Sequence, residues 1–355
     1  MLMPHLSVRG PIARHSTHLV AALRRRGVTV AVLGWGRHRD DQSLFSRMVC
    51  RFTDVVRIAH QARRLRPDVL FIKTAHDWPS LTRDIALLMA VRHYCERVVL
   101  QFHGTQSDRL VGPGRVPFKT LTKWLVSMAD LVLLLSTEER GEWLVFEPRA
   151  RYGVVVNCFV PAAGNGDHAD ESPAGDAGAA VILFVGRIRQ DKGVFDLLTA
   201  FQGVRRQEPA QLVLAGDGPA AVELCERATG LGLSPSTEML GFVEPECLPE
   251  LYRAADVFVL PSYAEGFPTV LVEAMHAGLP IVTTGIRGAA DQLVDGENAL
   301  FVEPGCPEQI EAAVLRLLRD PELRTRMGSA NRKSVRRFAP DPVAAEYARL
   351  LEELF

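Results

Sequence analysis

Val257-Phe258-Val259-Leu260-Pro261-Ser262-Tyr263-Ala264-Glu265-Gly266-Phe267-Pro268-Thr269-Val270-Leu271-Val272-Glu273-Ala274-Met275-His276-Ala277-Gly278-Leu279-Pro280 is the stretch whose reading decides the fold. Its four leading apolar residues predict a buried strand. Pro261, Gly266 and Pro268 then force a loop, and Pro268 suits the first helical turn, where its missing N–H costs nothing. The helix that follows buries Leu271, Ala274, Met275 and Gly278, an i, i+3, i+4, i+7 stripe, and Gly278-Leu279-Pro280 ends it. Glu273 falls on the side away from that stripe, and Glu265 sits in the loop before the helix. Two carboxylates therefore flank a helix N-terminus whose free N–H groups suit an anion. Acceptors for sugar hydroxyls beside donors for phosphate fit a nucleotide-sugar site, although most glutamates of such a strand–loop–helix unit are simply solvated.

Around this stretch, strands alternate with helices, which predicts parallel sheets. Before it come strand Val181–Val185, then Gly186-Arg187-Ile188-Arg189-Gln190-Asp191-Lys192-Gly193, a helix over 194–207, strand Leu212–Ala215, Gly216-Asp217-Gly218-Pro219, a strand near Met239–Phe242 and a helix ending at Ala255. After it come strand Ile281-Val282-Thr283, Gly285-Ile286-Arg287-Gly288 and the helices of 307–337. The segment Ala162–Ala180 is Gly, Asp, Ala, Pro and Ser without period and reads as a linker.

The first half repeats the βα pattern. Met1-Leu2-Met3 reads as the stub of a strand cut off by Pro4, so that strand is short or the true start lies upstream. A glycine-bearing loop, His5–Ile12, is followed by a helix with Leu19, Ala22 and Leu23 on one face, ended by Gly27, and by a strand over Val28–Leu33. Glycine in this first βα loop is where phosphate or acceptor contacts are usually made, but the loop is no dinucleotide fingerprint. Residues 42–66 predict one or two helices whose apolar positions interleave with six arginines. That pattern fits a membrane-facing amphipathic stretch, and more often a core-packed helix with a solvated basic face. Strands follow at Val69–Lys73, Val98–Phe102, Leu131–Leu135 and Val154–Val156. His103-Gly104 closes the second of these at the carboxyl edge, where ligands bind. The last helix, Val343–Phe355, follows Pro340 and Pro342 and is expected to cross back onto the first domain.

The 355 residues exceed one usual domain, so two are expected. A hydrophobic content of 47% with 23% charged residues is ordinary for a soluble protein. No apolar run reaches the length of a membrane span, and the opening residues show no charged n-region with an h-region, so no secretion signal is expected. The six cysteines lack C-x-x-C spacing, which favours free thiols over a zinc site. The net charge of −1 hides an asymmetry: residues 1–160 hold 24 Lys+Arg against 13 Asp+Glu, and the remainder 17 against 29. A basic half suggests an anionic partner such as a membrane surface or a phosphorylated acceptor. Its basic residues are not interleaved with stacking aromatics, which disfavours nucleic acid.

Arg187 and Lys192, just past a strand, can neutralise a diphosphate. Each alone is commonly a surface charge; beside a carboxylate-flanked helix N-terminus on the same sheet edge they become informative. Taken together, G-R-x4-K-G at Gly186–Gly193, G-x-G-P at Gly216–Pro219 and E-G-F-P-x4-E-A-x3-G-x-P at Glu265–Pro280 resemble the retaining GT-B glycosyltransferases of family 4. The resemblance is close in the second domain and rests on topology and the Gly10 loop in the first.

The resemblance implies an α/β GT-B fold, two Rossmann-like βα domains facing each other across a cleft. Residues 1–160 with helix 341–355 would form the N-terminal acceptor-side domain, 161–180 the linker and 181–340 the nucleotide-sugar-binding domain. Arg187 and Lys192 would hold the donor diphosphate and stabilise the charge that develops on it. Glu265 would contact donor sugar hydroxyls, and Glu273 the ribose. N–H groups at Phe267, Thr269 and Val270, around Pro268, would act at the distal phosphate. Gly186 and Gly216 would line the donor, Gly10 would let the first domain approach the diphosphate, and His103 matches a histidine placed near the donor sugar.

The implied activity is transfer of a sugar from a UDP- or GDP-linked donor to a saccharide or lipid-linked acceptor in cell-envelope or exopolysaccharide synthesis, with retained anomeric configuration. No cofactor or metal is implied. The expected location is cytoplasmic, with peripheral contact at the inner membrane face. Arg9-Gly10-Pro11-Ile12 departs from the family's paired glycines, Asp291 stands where a glutamate is frequent, and Asn157-Cys158-Phe159 lacks the usual Asn-Gly pair. A sugar-nucleotide epimerase and a catalytically silent nucleotide-sugar-binding protein of the same fold are the alternatives.

Overall fold

The structure is a computed structural model and describes residues 1–3, 11–35, 44–105, 110, 116–161 and 178–355. The chain divides into two compact units: Met1–Cys158 with Phe338–Phe355, and Phe159–Arg337. The Gly10 loop and nearly all of the 161–180 segment lie outside the described residues.

The first unit is built on one parallel sheet. Its strands are β1 (Leu2–Met3), β2 (Leu33–Gly34), β3 (Val69–Thr74), β4 (Arg97–Phe102), β5 (Leu131–Leu134) and β6 (Tyr152–Val154), in the order β2-β1-β3-β4-β5-β6. The helices are α1 (Pro11–Arg25), α2 (Leu44–Leu65), α3 (Trp78–Val91), α4 (Val116–Ser127), α5 (Thr137–Phe146) and, from the far end of the chain, a helix over Pro340–Glu352. That last helix and α1 cover one face of the sheet, joining Leu19, Leu23, Val343 and Tyr347 to Phe71, Val99 and Leu133. The other face carries α2, α3 and α4 over Ile72, Val98, Leu100 and Val132. Helix α3 starts where the Asp77 side chain accepts the Ser80 N–H at 2.8 Å, and α5 where Ser136 accepts that of Glu139.

Two expectations in this half are corrected. The strand expected over Val28–Leu33 is only Leu33–Gly34. A ladder extends only as far as its partner does, and among the described residues β1 offers it Leu2 and Met3. The strand expected at Val154–Val156 is Tyr152–Val154, in register with Val132–Leu134. Residues 44–65 are one helix; it sends Ile58 and Ala62 into the core and leaves Arg57, Arg63 and Arg64 exposed, the core-packed reading of that segment.

The second unit repeats the plan with six strands of its own: β7 (Ala180–Val185), β8 (Ala210–Ala215), β9 (Thr237–Gly241), β10 (Val257–Leu260), β11 (Ile281–Thr284) and β12 (Ala299–Val302). The order β12-β11-β10-β7-β8-β9 is a parallel doubly wound sheet. Its helices are α6 (Val194–Arg205), α7 (Ala221–Gly230), α8 (Leu248–Ala254), α9 (Thr269–Ala277), α10 (Gly288–Gln292), α11 (Pro307–Arg319) and α12 (Pro321–Ser334); the helix of the first unit over Pro340–Glu352 is α13. Strands β7 and β10 are neighbours although three strands apart in sequence, so the winding reverses between them. In open α/β sheets ligands bind outside the carboxyl ends of the strands at such a reversal.

Candidate functional site

The two loops that leave this reversal carry the predicted residues. After β7, Gly186 donates its N–H to Ala215 O at 3.0 Å, and Ile188, fully buried, donates to Asp217 O at 3.0 Å. Arg187 stands exposed between these two anchored residues. A single 3-10 turn, Gln190–Lys192, follows, and Gly193 at φ 68° and ψ 22° leads into α6. A Cβ at Gly193 would collide with the carbonyl oxygen of Pro261, the first residue after β10. Glycine here serves two ends at once, left-handed backbone and close approach of the two loops. Gly216 plays a comparable part after β8, at φ 147°, where a Cβ would strike Gly186 O.

The approach brings Lys192 to Glu265. Lys192 Nζ lies 2.7 Å from Glu265 Oε1, with side chains 21% and 10% exposed, and 3.4 Å from Ala264 O. Ser262 Oγ donates to the same Oε1 at 2.6 Å, and the Tyr263 N–H donates to Asp191 O at 2.9 Å. The loop after β10 is held from its other side by the Thr284 hydroxyl on Ser262 O and by the Gly288 N–H on Gly266 O. Between those two anchors Arg287 is buried at φ 44°, a costly conformation for a residue with a side chain.

Helix α9 begins at Thr269, one residue later than the first-turn placement expected for Pro268. Pro268 instead stands at the cap with φ −71° and ψ 101°. The missing N–H therefore falls just outside the helix; Leu271 gives its N–H to Pro268 O at 3.2 Å, and the N–H groups of Thr269 and Val270 remain for a ligand. Phe267, Thr269 and Val270 are half-buried around this end, and Gly278 ends the helix at φ 75°. Glu273 is not a solvated carboxylate on the outer face. Tyr252 Oη, from α8, donates to Glu273 Oε2 at 2.9 Å. Burial, and then the Glu273 charge, push the Tyr252 phenol well above its usual pKa, so it remains a donor.

The structure thus joins Lys192 and Glu265, places Arg187, Gly186, Gly216 and the start of α9 at the same sheet edge, and orders Glu273 through α8. His103 belongs to the first unit. It follows β4 and gives its N–H to Thr74 O at 3.1 Å; burial, and then the nearby Lys73, hold its imidazole well below the usual pKa. Gly10 lies outside the described residues. Sequence reasoning missed Ser262, Thr284 and Tyr252. A serine three residues before Glu265 carries a weak local signal, whereas Tyr252, twenty-one residues before Glu273, carries none. Among the described residues no group of three His, Cys, Asp or Glu is placed to hold a metal ion, and no helix is long and apolar enough to cross a membrane.

Comparison with known proteins points to the same unit. Glycogen synthase from Mycobacterium tuberculosis is 30% identical over 277 residues, 76% of this chain and 65% of the relative, so the chain spans somewhat under two thirds of that protein. Sucrose-phosphate synthase from Thermosynechococcus elongatus superposes with a TM-score of 0.76 at 18% identity, over 99% of this chain and 95% of that one. HepE from Anabaena, solved in complex with UDP-glucose, gives 0.71 at 18% identity over 99% and 98%. These likenesses, at such low identity, speak to the fold, and they show the two-domain α/β GT-B class that the motifs implied. The family described as "Glycosyl transferases group 1" matches residues 168–334. That stretch, which contains β7 to β12 and every second-unit site residue named above, is a glycosyl transferases group 1 domain.

Proposed function

We propose that the protein is a glycosyltransferase that moves a sugar from a nucleotide-diphosphate donor, UDP- or GDP-linked, to a saccharide or lipid-linked acceptor with retention of configuration. One observation carries the reading: the Lys192–Glu265 contact, which ties the loop after β7 to the loop after β10 at the point where the winding of the sheet reverses. Lys192 has three N–H donors and gives one to Glu265 and one to Ala264 O, so the third is available to a diphosphate. Arg187, exposed at the same edge, adds a guanidinium suited to paired phosphate oxygens. The start of α9 supplies backbone N–H groups for the distal phosphate.

In this reading the two cations stabilise the negative charge that grows on the diphosphate as the sugar bond breaks, and they do so without a metal. Glu265, its Oε1 engaged by Lys192 and Ser262, presents the carboxylate to sugar hydroxyls. Glu273, oriented by Tyr252, accepts from the ribose hydroxyls. The attacking acceptor hydroxyl arrives on the face the leaving group departs from, and the departing phosphate takes its proton. The excess of basic residues in the first half supports an anionic or membrane-borne acceptor at the inner membrane face, in envelope or exopolysaccharide synthesis.

The test is turnover by Lys192→Ala and Glu265→Ala with a UDP- or GDP-sugar that the wild type uses. Loss of transfer with native circular dichroism supports the site; full turnover in both variants removes it. An assay without acceptor separates transfer from epimerisation, because only an epimerase yields isomerised donor, whereas a transferase at most hydrolyses it.

A further inference from the structure

The first unit has its own winding reversal, between β1 and β3, and buried polar groups gather there that the second-unit site does not use. Lys73 is the next-to-last residue of β3, is 4% exposed, and its Nζ has no hydrogen-bond partner. It shares a sheet face with Phe71, against which the Tyr347 ring packs. On the adjacent strand Gln101 stands opposite it in register, and His103 follows two residues later. Both are on the face covered by α1 and α13: Gln101 Nε2 donates to Tyr347 Oη at 2.8 Å, and its Oε1 is unpartnered.

From α1 comes His15, also 4% exposed. Its Nδ1 accepts the Cys158 N–H at 2.6 Å, so the ring proton resides on Nε2, and that N–H has no acceptor. His103 Nε2 is likewise buried and unpartnered. The three side chains are near enough for the Lys73 charge to disfavour protonation of both imidazoles. Among the described residues the titratable groups found around Lys73 are His15, His103 and Cys158, and none is a carboxylic acid. A buried amine without a carboxylate is costly, and a buried polar group without a partner calls for an explanation.

We propose that Lys73, His15 and His103 form a buried oxyanion site in the first unit that receives a phosphoryl group. Three donors from three elements (α1, β3 and the residue after β4) suit a tetrahedral anion with three acceptor oxygens better than a planar carboxylate with two. The unpartnered carbonyl oxygens of Gln101 and Asn157 would accept from the lysine ammonium or from a protonated phosphate oxygen. The ligand's phosphate would complete the charge that the unit alone lacks. This assignment stands whether or not the second unit binds a nucleotide sugar.

The experiment measures melting temperature in saturating inorganic phosphate against chloride at equal ionic strength, with acetate as a second anion. Phosphate is also expected at Arg187 and Lys192, so the double variant Arg187→Ala/Lys192→Ala is run beside the wild type. Both should gain about 2–4 °C for each kcal/mol of binding that linkage adds. Lys73→Met, and Lys73→Gln if the first does not fold, placed in the double-variant background, should gain nothing, and acetate should give less than phosphate throughout. No phosphate gain in the double variant, an undiminished gain when Lys73 is replaced there, or an acetate gain equal to that of phosphate would overturn the proposal.

Discussion

Lys192 and Glu265, seventy-three residues apart in the chain, meet with 2.7 Å between Nζ and Oε1. The pair is mostly buried, but Glu265 keeps a second donor in Ser262 when Lys192 is removed. The proposed role therefore predicts a larger effect on function than on stability. Lys192→Met should lower kcat by about 10²–10³-fold, as removal of a preorganised charge does, while shifting the melting temperature little. Steady-state kinetics beside a melting curve checks both halves. A drop in stability as large as the drop in rate would mark the pair as structural.

Tyr252 and Glu273 yield a sharper specificity test. Tyr252→Phe keeps the buried ring and removes only the donor to Glu273 Oε2. Affinity for the ribonucleotide diphosphate should fall about 10-fold, or about 1.4 kcal/mol, close to the lower end of what one hydrogen bond to a charged group is worth. Affinity for the 2′,3′-dideoxy analogue should change much less. Calorimetric titration of both ligands reads the difference, and equal losses would separate Glu273 from the ribose.

Gly193 answers for the approach of the two loops. Gly193→Ala must adopt a positive φ and set its methyl against Pro261 O. Strain and overpacking together should cost about 2–4 kcal/mol. Urea denaturation measures it, and a loss below about 0.5 kcal/mol, the scale of an ordinary surface change, would show that the loops part freely.

Burial lowers the Lys73 ammonium from 10.5 to about 7, with the nearby Cys158 opposing the shift. Between those two values the unfolded chain holds a proton that the folded chain does not, so stability rises with pH across that window. Below about 7 the full penalty applies, and above 10.5 it vanishes. Lys73→Met removes the term. In chloride the variant should be the more stable protein near pH 7, with the gap closing as pH approaches 10. His15 and His103, held well below 6.5, contribute in the same direction, but only below 6.5, where the unfolded imidazoles take up protons first. Denaturant midpoints at several pH values check the trend; a gap that widens with pH contradicts it.

The sheet architecture was legible because parallel strands buried on both faces are short apolar runs, and Val257–Leu260 and Ile281–Thr283 read as such. The carboxyl-edge loops were legible through their glycines and charges. Strand lengths at the edge of the first sheet were not, since β2 extends only as far as the two residues of β1 allow. Nor was the setting of Glu273: helical periodicity places it away from the apolar stripe, but only the packing of α8 on α9 brings a tyrosine to it. Lys73 was read as the last residue of an apolar strand. Its lack of a counter-charge depends on which side chains the neighbouring strand and α1 bring to it, and no local pattern encodes that.

The central claim is that Arg187 and Lys192 receive the diphosphate of a nucleotide sugar. Melting curves of wild type, Arg187→Ala and Lys192→Ala over a panel of UDP-, GDP- and ADP-sugars test it most directly, because a ligand that binds only the folded protein raises its melting point. At least one donor should stabilise the wild type, and each alanine variant should need about 10–100-fold more of it for the same shift, the loss of one charge-assisted contact or two. A wild type indifferent to every donor, or variants that respond like the wild type, would contradict it.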